Sequence, residues 1–150
     1  MANSIKRSGD GLALQITKSA RAAGLVEETE DGNASYRADI RVHAFCDLLL
    51  IVDLDRVNEE DEAEMVATTI RDTKTAYQSI NAGVHIAGEG YQVHLPVAND
   101  AGFEIGDIAP VHPAPNVLVI SVKGSTDSVR LAKDLVSIRK EQVRSSGTLA

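Results

Sequence analysis

The order of apolar and polar residues along the chain predicts a series of short strands broken by two helices. Leu12, Leu14 and Ile16 alternate with Ala13, Gln15 and Thr17, the period of a strand with one face buried. Tyr91, Val93 and Leu95 alternate in the same way with Gln92 and His94, and Pro96 ends that strand. Each strand is preceded by a Gly-x-Gly turn, Gly9 to Gly11 and Gly88 to Gly90, and followed by a short helical turn closed by Gly24 or Gly102. Two strand regions come next, 36–45 with 48–54, and 107–111 with 117–122, the second pair split at Pro113, Ala114 and Pro115. Asn58 is a good N-cap for a helix reaching to about 79, with Asp61 three residues on and Glu59, Glu60 and Glu62 at its positive end. Ala63, Val66, Ile70 and Tyr77 share one face of it. A second helix starts near Ser125 or Thr126 and carries Leu131, Leu135 and Ile138 as a stripe. Residues 27–35 read as the loosest loop.

These elements repeat. Residues 8–16 align without a gap on 87–95, matching Gly9 to Gly88, Gly11 to Gly90, Leu14 to Val93 and Ile16 to Leu95. Ala23, Gly24 and Leu25 are answered by Ala101, Gly102 and Phe103. The apolar run 49–52 is answered by 117–120, and each run is followed by a helix. The chain therefore divides into 1–83 and 84–150, together one pseudo-twofold domain.

The segment from Ser8 to Lys18 resembles the signature of the SpoVT/AbrB-like, swapped-hairpin family in its MazE-type spelling. Residues 88–96, with Ala101 to Asp107, look like a second copy, and the tandem layout is similar to that of MraZ-like regulators. The first copy departs from the pattern with Thr17 in place of proline and with the insertion 27–35. The second has no Lys or Arg between residues 84 and 122. The resemblance implies an α+β fold: a swapped-hairpin β-barrel built from two tandem hairpin copies, each followed by a helix. It also implies binding of double-stranded DNA through a basic face and action as a transcriptional regulator.

Charge changes the picture in two ways. The net charge is −7, which argues against a general nucleic-acid binder and suits a salt-adapted source. The charge is segregated, however. Lys6, Arg7, Lys18 and Arg21 face only Asp10 within residues 1–25, and residues 123–150 are net basic. Lys6, Arg7, Lys18 and Arg21 are thus the phosphate-binding candidates, and Gln15 and Thr17 the nearest polar candidates for base contact. Leu131, Leu135 and Ile138, with Val66 and Ile70, are the candidates for a homodimer surface.

Composition excludes other classes. With 43% hydrophobic and 25% charged residues the chain reads as globular, and its longest apolar run, 48–52, is too short for a bilayer. Residues 1–7 lack the apolar segment of a signal peptide, so a cytoplasmic location is expected. The single cysteine, Cys46, excludes an internal disulfide, and the absence of tryptophan argues against an aromatic stacking platform. No phosphate loop, nucleophile elbow or metal-ligand spacing is present. His43, His85, His94 and His112 read as surface residues and Cys46 as an inert thiol. The sequence thus predicts no catalytic residues, no metal and no cofactor. The alternative to a DNA-binding regulator is an oligomeric interaction or scaffold protein, or an antitoxin-like partner of another protein.

Overall fold

A computed structural model describes the backbone of residues 2–8, 11–15, 19, 22–28, 34–37, 39–45, 47–73, 78–87, 90–94, 108–121 and 126–147. Side chains are described for residues 19, 22–25, 39–45, 47–71, 109–121 and 127–145. The strands are β1 (Ala2–Ser8), β2 (Gly11–Gln15), β3 (Val26–Glu28), β4 (Ala34–Arg37), β5 (Asp39–Phe45) and β6 (Leu48–Asp53). Then follow helix α1 (Glu59–Thr73), β7 (Gln78–Ala87), β8 (Gly90–His94), β9 (Ile108–Ala114), β10 (Val117–Ser121) and helix α2 (Thr126–Gly147). All pairings among the described residues are antiparallel. Hydrogen-bonded neighbours run β1-β2-β8-β7-β5-β6-β10-β9, and β9 returns to β1; β3 and β4 form a separate hairpin.

The expected swapped-hairpin barrel of two hairpin copies, each followed by its own helix, is corrected. The part in which both backbone and side chains are described is one four-stranded antiparallel sheet, β5-β6-β10-β9, carrying both helices. The reason lies in the runs 48–52 and 117–120, which have no polar face. A strand in a lobe covered on one side only would need one. These strands instead pair with each other, Leu50 opposite Val119 and Val52 opposite Val117, and every residue of both is buried.

Two apolar layers result. On one face Phe45, Leu48, Leu50, Val52, Val117 and Val119 pack with Met65 of α1 and with Leu131, Ala132 and Leu135 of α2. On the other face Ile40, Val42, Leu49, Ile51, Val111, Leu118 and Ile120 are buried. Burying one such side chain contributes roughly 1.5–3 kcal/mol, so this sheet dominates the stability of the described region.

Local signals explain the boundaries. The Asn58 Oδ1 accepts the backbone N–H of Asp61 at 2.7 Å, the N-cap that the sequence anticipated. That helix ends at Thr73 and not near 79, because residues from Gln78 onward belong to β7, which pairs with β5. The buried stripe of α1 is Glu62, Met65 and Thr69, while Ala63 and Ile70 of the expected apolar face are exposed. Gly24 has φ 78°, the left-handed conformation expected of a cap glycine. Residues 27–35, expected as a loop, begin and end in the hairpin strands β3 and β4. Strand β9 continues through Pro113 and Ala114, so the turn is Pro115-Asn116, with Asn116 at φ 62°. Proline before a positive-φ asparagine suits that turn. Cys46, Tyr77 and Gly102 lie outside the described residues.

Candidate functional site

The last glycine of each Gly-x-Gly segment, Gly11 and Gly90, opens the second strand of a hairpin. Ser8 pairs with Gly11 at the end of β1–β2, and Ala87 with Gly90 at the end of β7–β8. The hairpins lie side by side, with β2 against β8, and Leu14 stands directly opposite Val93. Leu14 and Val93 thus share a register position, while Ile16 and Leu95 lie outside the described residues.

Alternation along these strands sorts their positions onto two faces. One face carries the positions of Lys6 on β1, Ala13 and Gln15 on β2, Gln92 and His94 on β8, and His85 on β7. The other carries those of Ile5, Leu12, Leu14, Tyr91, Val93, Val84 and Ile86. The first set of positions thus runs across four adjoining strands. Following the register through β7 onto β5 makes it the same face as Arg41 and His43, the side on which the helices pack farther round. Arg7 occupies a position of the apolar set, opposite Leu12, so Lys6 and Arg7 do not share a face. Thr17, Lys18 and Arg21 lie outside the described residues.

A second polar constellation locks the helices to the sheet. Glu62, 7% exposed, accepts a hydrogen bond from Arg41 Nη1 at 3.0 Å and lies 2.7 Å from His43 Nε2. His43 is 2% exposed, and not at the surface as the sequence suggested. Burial lowers its pKa below the ordinary histidine value, against the opposing pull of Glu62. The neutral ring with its proton on Nε2 satisfies the carboxylate without burying a second charge. On α2, Arg139 donates from Nε to the carbonyl of Pro115 at 2.7 Å and from Nη1 to Asp61 Oδ2 at 3.1 Å. Burial lowers its pKa, and Asp61 opposes that shift. Gln142 donates to the Asp61 carbonyl at 3.1 Å and to Glu64 Oε1 at 2.7 Å. Partners this distant in sequence leave no local spacing signal, which is why reading the sequence missed them.

Between α1 and α2 lies an open groove of about 720 Å³, lined by Asp61, Glu64, Ala67, Ile138 and Gln142 among others. Of the association candidates, Leu131 and Leu135 are buried beneath α2, so that stripe is covered within the chain. Val66 and Ile138 are partly buried against the core, and Ile70 is 40% exposed. No group of three or more His, Cys, Asp or Glu side chains among the described residues is arranged to hold a metal ion. No helix among them is long and apolar enough to cross a membrane. Comparison with protein-family models, with curated proteins and with solved structures yields no match.

Proposed function

We propose that this chain is a cytoplasmic DNA-binding transcriptional regulator that meets double-stranded DNA through the polar face of β1, β2, β8 and β7. The observation that carries this reading is the register, which lines up Lys6, Gln15, Gln92, His94 and His85 on one face of two adjoining hairpins. Strands are suited to lie in a DNA groove, where a lysine holds phosphate and glutamine can pair bidentately with adenine. The AbrB-like spelling of residues 8–18 points to the same partner. The role is one of binding, with no catalytic step. A homodimer doubles the cations offered to one duplex, and each neutralised phosphate steepens the log–log salt dependence by about 0.9.

The test is a low-salt gel shift with a short mixed-sequence duplex, comparing the native chain with Lys6→Glu/Gln15→Glu. Binding by the native chain and its loss in the variant are expected. Absence of binding, or equal binding by both, overturns the reading.

A second reading, an oligomeric interaction protein, is favoured by the groove between α1 and α2 and, separately, by the exposed Ile70 on α1. Light scattering of the native chain and of Ile70→Glu separates it from the first: association lost in the variant, with DNA binding absent in both, selects the second reading.

A further inference from the structure

The two hairpins place different residues at corresponding positions. Counting back from the closing pairs Ser8–Gly11 and Ala87–Gly90, Lys6 on β1 corresponds to His85 on β7. Counting forward, Gln15 on β2 corresponds to His94 on β8. The pair Leu14–Val93 lies at the centre of this exchange, so each half of the face has a partner half. One half offers a permanent cation. Its counterpart holds imidazoles, and its chain has no Lys or Arg between residues 84 and 122.

We propose that the second hairpin is a proton-dependent half-site: protonation of His85 and His94 gives the face the cations it otherwise lacks there, and DNA binding tightens as the pH falls. This inference rests on the DNA-binding reading given above. Histidine is the side chain whose ordinary pKa, about 6.5, allows such a change near neutrality. Charged neighbours at register positions of the same face are Lys6 on β1, two strands from His94, and Asp39 and Arg41 on β5, beside β7. In the described pairings His94 stands opposite Ala13 and His85 opposite Gln92, so neither is paired with a carboxylate there. On this reading a phosphate of the duplex supplies the counter-ion.

The experiment measures binding of the full chain to a mixed-sequence duplex across a salt series, about one unit below and one unit above the ordinary histidine pKa of about 6.5. The native chain should bind more tightly at the lower pH, with a log–log salt slope steeper by about 0.9 for each histidine that neutralises a phosphate. His85→Gln/His94→Gln should keep the weaker, shallower binding at both pH values. His85→Lys/His94→Lys should bind at the higher pH as the native chain does at the lower. All three proteins keep His43 and His112, so acid effects on folding are common to them. Binding that is independent of pH in the native chain, or a pH response that survives in the glutamine variant, overturns the inference and leaves the DNA-binding reading intact. Absence of binding by all three at both pH values overturns both.

Discussion

Helices α1 and α2 lie on the same face of the same sheet, yet each solves the burial of charge differently. The stripe of α1 that meets the sheet contains a carboxylate, Glu62, whose partners Arg41 and His43 come from β5 beneath it. The stripe of α2 contains a guanidinium, Arg139, whose partners are the turn carbonyl of Pro115 and Asp61 of the neighbouring helix. The first device ties helix to sheet. The second ties helix to helix and to a turn. The strands below repeat the contrast, since His43 and His112 stand at equal distances from their turns. His43 meets Glu62, whereas His112 lies 3.2 Å from the hydroxyl of Ser121 on the next strand.

Arg139→Ala should produce the largest loss, about 3 kcal/mol, because it strips Asp61 and the Pro115 carbonyl of a buried partner together. Urea unfolding measures it, and a loss below about 1 kcal/mol would make the helix-to-helix tie incidental. Glu62→Gln should cost about 2 kcal/mol by weakening two hydrogen bonds that carry charge. A double-mutant cycle with His43→Gln should show coupling, whereas a cycle pairing Glu62→Gln with His112→Gln should be additive. Coupling in both cycles would erase the contrast between the two strands.

The pH dependence follows from the histidines. Burial lowers the pKa of both His43 and His112 in the folded chain, so the unfolded chain binds protons more readily. Their contribution to stability is complete above the unfolded value of about 6.5 and is lost as the pH falls below it. Replacing His112 by Asn should flatten part of that slope in urea titrations, and an unchanged slope would assign all of it elsewhere. The smallest effect concerns the two turns, where Asp47 and Asn116 hold φ of 61° and 62°. Asp47→Gly should stabilise by about 0.5 kcal/mol through relief of backbone strain, and Asn116→Gly by less, since asparagine tolerates that conformation better. Calorimetry resolves the order, and equal gains would count against a difference between the turns.

Strands β6 and β10, the cap at Asn58 and the start of α2 were legible because their signals are local: an apolar run, a capping side chain, a polar first turn. Strands β1 and β7 were not. Strand β1, ANSIKRS, holds only Ala2 and Ile5 as apolar residues, and what makes it a strand is pairing with β2 and β9. In β7, QSINAGVHIA, Ile80, Ala82, Val84 and Ile86 do alternate with Asn81, Gly83 and His85, but the helix expected to reach about 79 and the division at 83 obscured that period. The stripe Leu131, Leu135 and Ile138 was readable as a stripe, but the same pattern serves a core or an association surface. On α1 the apolar pattern misled, because Glu62 and Thr69 occupy the buried side. Glu62 does so with partners 19 and 21 residues away, and Thr69 through its hydroxyl on the Met65 carbonyl. The hairpin face was half legible, since the Gly-x-Gly segments marked where β2 and β8 begin but the separation of Lys6 from Arg7 needed the register.

The pairing of β1 with β9 joins Ala2 to Pro110 and Ser4 to Ile108, so strands about a hundred residues apart in synthesis are neighbours. On the ribosome β1 and β2 can close as a hairpin at once, but the free edge of β1 must wait for about a hundred further residues. Until then it presents unpaired N–H and C=O groups to any other nascent chain. Chains dominated by such distant pairings fold slowly, in milliseconds to seconds. The gain comes later: once β9 arrives, opening the sheet at that point requires segments about a hundred residues apart to part together, which ties the fraying of β1 to the integrity of the sheet that holds β9.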